Sequence, residues 1–159
     1  MIIYKIESQD AEEFVNLLLQ LDNETKFMLF EPEERKITVD DMESRLSNSN
    51  DSKGICIGAK DEDKLIGFIS VNRGNSKRSE HTAYIAIGII QKYVNKGIGK
   101  LLFEEIENWA LTYGINRLEL TVLTHNEIAI RLYEKIGFKK EGIREKSMML
   151  GKRTKNILF

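Results

Sequence analysis

The apolar and polar positions along the chain predict four helices and seven strands. In four segments the apolar residues recur three and four positions apart, which is the spacing of one face of a helix. These helices are predicted at residues 10–21, 38–46, 98–113 and 126–136. Shorter apolar or alternating runs are typical of strands, and they occupy residues 2–7, 55–60, 64–71, 82–90, 117–123, 138–150 and 155–159.

The predicted order of these elements is β-α-α-β-β-β-α-β-α-β-β. Antiparallel strands, with a hairpin around residues 61–63, come before a strand–helix–strand crossover. We therefore expect one α/β domain over residues 1–159, with a mixed, mostly antiparallel sheet and helices on both faces. The strand at residues 82–90 is apolar on both sides, which predicts a central strand covered on both faces. Gly88 within it predicts a bulge or a close approach of another backbone.

Composition and charge are those of a soluble globular protein. Hydrophobic residues make up 42% of the chain and charged residues 31%, and the formal net charge is −1. No apolar run reaches the roughly 20 residues of a membrane helix, the first residues lack a signal-peptide pattern, and Cys56 is the only cysteine. We expect a cytoplasmic protein with no metal, no membrane partner and no nucleic-acid partner.

The most informative stretch is residues 91–100, with the sequence QKYVNKGIGK. A strand, a turn with Gly97 and Gly99, and the start of a helix follow one another there. Unpaired N–H groups at a helix start attract anions, and glycine lets a phosphate approach them closely. The glycine spacing is not that of a Walker A loop, and Leu102 takes the third glycine position of a dinucleotide fingerprint. A turn that only joins strand to helix is the alternative. Three lysines add positive charge here: Lys92, Lys96 and Lys100.

Two blocks of sequence carry a family resemblance. The first runs from Ile87-Gly88-Ile89 to YVNKGIGKLL at residues 93–102. The second is NEIAIRLYEKIGF at residues 126–138, followed by Glu-Gly. Both blocks resemble the cofactor segments of the GNAT superfamily of acetyl-CoA-dependent N-acyltransferases, and the resemblance covers essentially the whole chain. It implies the GNAT fold, acetyl-CoA as acetyl donor, and direct attack of an amine on the thioester.

The resemblance also implies roles for individual residues. The pantetheine arm would pair with the backbone around Gly88, and the N–H of Ile89 would face the thioester oxygen and stabilise the oxyanion. Tyr133 would protonate the leaving thiolate, and Asn126 would contact the cofactor arm. The implied catalytic groups are Tyr133 and Ile89. The implied cofactor-binding residues are Ile87, Gly88, Ile89, Val94, Asn95, Lys96, Gly97, Ile98, Gly99, Lys100, Asn126 and Tyr133.

Structural explanations compete with some of these roles. Asn126 is a suitable helix N-cap, and Tyr133 lies on the inner stripe of its helix. Cys56 lies in an apolar strand, where a buried structural thiol is a better interpretation than a nucleophile.

The general base is left open by the sequence. Tyr84 stands where the family often has a glutamate base, and Val94 and Asn95 replace an Arg or Gln and a Gly of the phosphate-binding segment. The loop between the first two helices borders the acceptor site in this fold. Its candidate bases are Glu24, Glu31, Glu33 and Glu34, and His81 and His125 are weaker candidates for a proton relay.

Charge along the chain indicates the class of acceptor. Residues 22–43 hold eight acids and three bases, whereas residues 135–155 hold eight bases and two acids. Each run is either a solvated face or a wall for a ligand of opposite charge. We expect the acceptor to be an amine-bearing small cationic molecule or a peptide or protein amino group. An acyl-CoA sensor without activity and an unrelated phosphate-binding module are the alternatives, and a homodimer is left open.

Overall fold

A five-stranded sheet organises the first 118 residues of the chain. The computed structural model describes residues 1–159 as two compact units, Met1–Leu118 and Glu119–Phe159. The strands of the sheet are β1 (Ile2–Lys5), β2 (Gly54–Asp61), β3 (Lys64–Arg73), β4 (Thr82–Ile89) and β5 (Arg117–Glu119), and they lie in that order. The helices of this unit are α1 (Ala11–Glu24), α2 (Val39–Ser47) and α3 (Ile98–Tyr113).

Local sequence signals explain where these helices begin and end. The Thr38 side chain accepts a hydrogen bond from the N–H of Asp41 (3.1 Å), and the Asp41 carboxylate accepts from the N–H of Thr38 (3.3 Å). This reciprocal cap starts α2, as Thr38 predicts. Gly97 and Gly114 bound α3, and both take left-handed backbone conformations with φ of +81° and +68°.

Helices cover both faces of the sheet. Phe14 of α1 packs edge-on against Phe68 of β3, with ring centroids 5.2 Å apart. Ile69 and Val71 alternate with Phe68 along β3 and therefore point to the other face. They are fully buried, and α3 contacts β2 and β3. The α/β class and the mostly antiparallel sheet predicted from the sequence are confirmed, because β1 to β4 pair antiparallel throughout.

Gly88 is explained by side-chain packing. The β3–β4 register runs without a shift from Gly67 opposite Ile89 to Arg73 opposite Ala83, so the bulge expected at Gly88 is not present in this ladder. A Cβ at Gly88 would lie 2.7 Å from Leu21 Cδ1 and 3.0 Å from Phe68 Cε1. The glycine is there because α1 lies directly on this point of the strand.

The prediction that both faces of β4 are buried is wrong for one of its two faces. Ala83 and Ile85 are buried, but Ala86 is exposed and Tyr84 is 46% exposed. Tyr84 and Ala86 share a face with Gly88, where Leu21 of α1 provides cover. The apolar character of residues 82–90 therefore predicted more burial of β4 than the structure has, because α1 reaches only the end of this face.

A buried ion pair ties together the connection between α1 and α2. Asp22 is 2% exposed and accepts two hydrogen bonds from Arg35, from Nε at 2.6 Å and from a terminal nitrogen at 3.0 Å. The Arg35 guanidinium also lies 4.6 Å from the centre of the Phe30 ring. The pair fixes the end of α1 against the last part of the loop.

The second unit contains a three-stranded sheet and one helix. Its strands are β6 (Val122–Leu123), β7 (Ile143–Leu150) and β8 (Arg153–Leu158), in the order β6-β8-β7, and its helix is α4 (Glu127–Ile136). The single strand predicted at residues 117–123 is two strands, because Leu120 and Thr121 leave the first sheet before β6 joins the second. Residues 138–142 lie outside β7, and of these residues Glu141 and Gly142 bond through their backbone to Phe159, just after β8.

No helix in the chain combines the length and the apolar character needed to cross a membrane. The expectation of a single domain over residues 1–159 stays a prediction.

Removing one partner of the Asp22–Arg35 pair should be strongly destabilising. Asp22→Ala leaves the guanidinium, which is 15% exposed, without its carboxylate, and we expect a loss of about 3–5 kcal/mol in the free energy of unfolding. The double variant Asp22→Leu/Arg35→Met should lose less than Asp22→Ala. Urea unfolding measures both, with Glu43→Ala as a control at an exposed acid. Equal stability of wild type and Asp22→Ala would contradict the role of the pair.

Candidate active site

Successive residues of β4 direct their backbone N–H and C=O groups to opposite sides of the strand. The N–H of Ile90 donates to the carbonyl of Ile66 on β3 (2.9 Å), and Gly88 stands opposite Phe68. In an antiparallel ladder alternate residues bond to the same neighbour. Ile87 and Ile89 therefore direct their N–H and C=O groups away from β3, toward the side of the sheet where β5 lies.

On that side β5 is too short to match β4. β4 has eight residues and β5 has three. The N–H groups of Asn116 and Arg117 both donate to the carbonyl of His81 (3.0 and 3.2 Å), so β5 starts beside the start of β4 and runs in the same direction. The C-terminal part of β4, with Ile87 and Ile89, extends past the three residues of β5. Its outward backbone groups suit an extended ligand that pairs like a strand.

The turn after β4 exposes backbone N–H groups. A 3₁₀ turn at Gln91–Tyr93 leads into extended Val94, and Asn95 and Gly97 have φ of +64° and +81°. Asparagine is one of the few residues other than glycine that take this conformation readily. Asn95 therefore keeps the backbone shape that a family glycine would give.

The start of α3 is open to an anion. The first helical hydrogen bond is from the N–H of Leu101 to the carbonyl of Gly97 (3.3 Å), and the N–H groups of Ile98, Gly99 and Lys100 precede it. A Cβ at Gly97 would meet no atom within 4 Å, so the space beside the turn is empty. The helix dipole and these N–H groups favour a phosphate there.

The four candidate acids differ in their positions. Glu24 accepts a hydrogen bond from the N–H of Gln91 (3.0 Å), which places its carboxylate at the end of β4. The carboxylate of Glu34 accepts from the N–H of Glu31 (2.8 Å), and Glu33 is exposed with φ of +66°. Glu24 is thus the acid of this set that is tied to the predicted cofactor strand, a contact across 67 residues that sequence patterns do not show.

The side chains of Cys56 and His81 have different environments. Burial raises the pKa of the Cys56 thiol to about 12, more than the charge of Arg45 lowers it, so the thiol is protonated at neutral pH. His81 is exposed and its backbone carbonyl accepts the hydrogen bonds at the start of β5, so a proton relay by its side chain stays a prediction.

In the second unit, Asn126 and Tyr133 belong to α4. The Asn126 side chain accepts a hydrogen bond from the N–H of Ala129 (3.3 Å), so it is the N-cap of the helix. Tyr133 is 8% exposed, and its ring centroid lies 6.0 Å from that of Phe138. The residues from Ile87 to Lys100 form one continuous strand–turn–helix in the first unit, whereas Asn126 and Tyr133 lie together on one helix of the second.

Comparison with known proteins identifies the family of the chain. Residues 15–138 match the model of the acetyltransferase (GNAT) family. A GNAT-family acetyltransferase from Streptococcus pneumoniae has 33% sequence identity and a TM-score of 0.92, covering 99% of this chain and 95% of that one. The chain belongs to the GNAT acetyltransferase family. The resemblance inferred from the two sequence blocks is therefore confirmed.

Other GNAT relatives are more distant or only partly aligned. The L-amino acid N-acetyltransferase AaaT of Escherichia coli is 30% identical over 86 residues, 52% of this chain and 51% of that protein. The N-alpha-acetyltransferase RimI of Mycobacterium tuberculosis is 32% identical over 91 residues, 57% and 55% of the two chains. This chain spans between a quarter and just over half of the first curated relatives it matches.

A solved structure with acetyl-CoA shares the GNAT fold. A putative acetyltransferase from Salmonella typhimurium, solved with its cofactor acetyl-CoA, superposes with a TM-score of 0.86 at 14% identity, covering 99% of this chain and 90% of that one.

A bulky residue at Gly97 should weaken CoA binding. In Gly97→Val the branched side chain is strained at positive φ and projects into the empty space beside the turn. We expect the Kd for CoA in calorimetry to rise by about tenfold or more, corresponding to about 1.4 kcal/mol.

Gly114→Val is the matched control for this variant. Gly114 has positive φ and open space like Gly97, but it lies at the other end of α3. Both variants should lower Tm, and only Gly97→Val should weaken CoA. Unchanged CoA affinity in folded Gly97→Val would contradict a phosphate site at this turn.

Proposed function

We propose that the protein is an N-acetyltransferase that moves an acetyl group from acetyl-CoA to a primary amine. The observation that carries the proposal is that β4 extends past β5 and leads directly into the glycine turn at the start of α3. One extended groove along the strand and one anion site at the helix start suit a long thiol-bearing arm with a diphosphate at its end.

Cofactor binding in this proposal uses mainly backbone groups. The pantetheine arm would pair with the outward N–H and C=O groups of Ile87 and Ile89, on either side of Gly88. The N–H groups of residues 94–99, with that of Lys100 in the first turn of α3, would bind the diphosphate. Because backbone groups would do most of this binding, we expect the family differences at Val94 and Asn95 to weaken CoA affinity rather than abolish it.

The chemistry is a direct transfer. The amine nitrogen attacks the thioester carbon, the N–C bond forms, and the N–H of Ile89 stabilises the negative charge that develops on the oxygen. The C–S bond then breaks, and the thiolate takes a proton. Loss of one such backbone donor typically costs about 100- to 1,000-fold in rate.

The amine must lose a proton before or during attack. A lysine-like amine has a reference pKa near 10.4 and is protonated at neutral pH. We propose that Glu24 accepts this proton through water, because its carboxylate is held at the end of β4 by Gln91 and is exposed.

Tyr133 is the proposed acid for the thiolate. An ordinary phenol has a pKa near 10 and keeps its proton at neutral pH. Asn126, seven positions earlier, is proposed to contact the cofactor arm while it caps the helix. The N-cap contact is observed, and the cofactor contact is part of the proposal.

The proposed acceptor is an amino acid, a peptide amino terminus or another small cationic amine. The names of two relatives support the first two, since one acetylates L-amino acids and the other α-amino groups. Exposed acids at the end of α1 and in the following loop, at Glu24, Glu31, Glu33 and Glu34, favour a positively charged group. A screen of amines and peptide amino termini, followed by thiol release from acetyl-CoA, tests the function.

The variant Tyr133→Phe tests whether the protein is an acetyltransferase that uses this tyrosine or an acyl-CoA sensor without activity. The variant keeps the ring against Phe138 but removes the proton, so kcat should fall by about 100- to 10,000-fold while CoA affinity and Tm stay near wild type. Tyr113→Phe on α3 is the control. Full turnover by Tyr133→Phe would remove this residue from the mechanism. Wild type that binds acetyl-CoA and acetylates nothing in the screen would favour the sensor.

Glu24→Gln should test the proposed base. The glutamine carbonyl can still accept from the N–H of Gln91, so the fold should be kept while the proton acceptor is lost. We expect kcat to fall by about 100-fold with CoA affinity unchanged. Glu33→Gln makes the same change at an exposed acid of the neighbouring loop and should have little effect. Equal losses in both variants would show that only the overall charge matters.

A further inference from the structure

Two lysines of the turn between β4 and α3, Lys92 and Lys96, lie on the ring of Tyr93. The Nζ atoms of Lys92 and Lys96 lie 5.6 and 5.0 Å from the centre of the Tyr93 ring. Both distances are within the range of a cation–π attraction. The Tyr93 ring therefore holds the ammonium groups of Lys92 and Lys96 close to each other, beside the turn that leads into α3.

Neither of these ammonium groups has a carboxylate partner. Lys100, the third lysine of the segment, lies 3.7 Å from Glu104 one helical turn further on. Lys92 and Lys96 are exposed, and they form no ion pair within the chain. Two like charges held together without an anion repel each other, and a bound dianion would relieve that repulsion.

Tyr93 is itself fixed at both ends. Its N–H donates to the carbonyl of Ile90 (2.8 Å), and the carboxylate of Asp61, at the end of β2, acts on its hydroxyl. Burial, then the neighbouring Asp61 carboxylate, raise the pKa of Tyr93, so the phenol keeps its proton. Asp61 and Glu62 would repel a phosphate placed nearby, which makes the two lysines more important for an anion here.

We propose that Tyr93 positions Lys92 and Lys96 to bind the 3′-phosphate of CoA. The inference rests on the proposed function, because it presumes that the ligand of the turn is CoA. CoA carries a diphosphate and a separate phosphate monoester on its ribose. The backbone N–H groups of residues 94–99 serve the diphosphate, so the lysines beside them are left for the monoester, which carries close to two negative charges at neutral pH. Lysine is a common phosphate ligand.

The test compares CoA with dephospho-CoA, which lacks only the 3′-phosphate. Wild type should bind CoA at least about tenfold more tightly, the value of one charge-assisted contact. In Lys92→Gln/Lys96→Gln, CoA should weaken by about tenfold or more, and dephospho-CoA by less than about threefold. Lys77→Gln/Arg78→Gln, at two exposed residues of the β3–β4 turn, makes the same charge change and should leave both affinities unchanged.

Two variants of Tyr93 test the positioning role. Tyr93→Leu removes the ring and should lower the ratio of the two affinities toward that of the lysine variant. Tyr93→Phe removes only the hydroxyl, keeps the ring beside both lysines and should keep most of the ratio. A change in Tm alone, with the ratio intact in Tyr93→Leu, would show a purely structural residue.

The outcomes separate this inference from the proposed function. Wild type that binds CoA and dephospho-CoA equally would overturn the inference and leave the acetyltransferase proposal intact. Equal losses for both ligands in the lysine variant would assign the lysines to the diphosphate and also overturn it. Wild type that binds neither ligand would overturn both.

Discussion

The unequal length of β4 and β5 is the constraint on which the candidate site depends. A sheet normally satisfies the backbone groups of an inner strand from both sides. Here β5 covers only the start of β4, and the outward groups of Ile87 and Ile89 extend past it. In the proposed binding mode a ligand that resembles a strand would satisfy these groups, and the N–H groups of the glycine turn that follows would bind the end of the same ligand.

Most of the fold could be predicted because its signals are local. The stripe of α3, its glycine at each end and the hairpin around residues 61–63 all depend on neighbours in sequence. The exposed face of β4 could not be predicted, since Tyr84 and Ala86 lie where α1 does not reach. The division of one predicted strand into β5 and β6 also depends on which sheet each part joins.

In the candidate site too, features set by neighbours in sequence could be predicted, whereas contacts between distant residues could not. The turn from Val94 to Gly97 was visible in sequence, and Asn95 keeps the left-handed conformation expected of a glycine there. The four acids near the first loop could not be ranked, because only the folded chain places Glu24 beside Gln91. The positive charge of Lys92 and Lys96 was visible in the sequence, but only the folded chain shows the Tyr93 ring beside both lysines.

The ion pair between Asp22 and Arg35 has a consequence for how such a protein could change in evolution. It closes the loop between α1 and α2 near both of its ends, so the intervening residues start and finish at fixed points whatever their sequence. Substitutions and short insertions at exposed positions such as Leu29 and Glu33 can then accumulate without disturbing the sheet or the turn. The pair thus lets the sequence of this segment vary while its two ends stay in place, and under the proposed function such variation would change the acceptor.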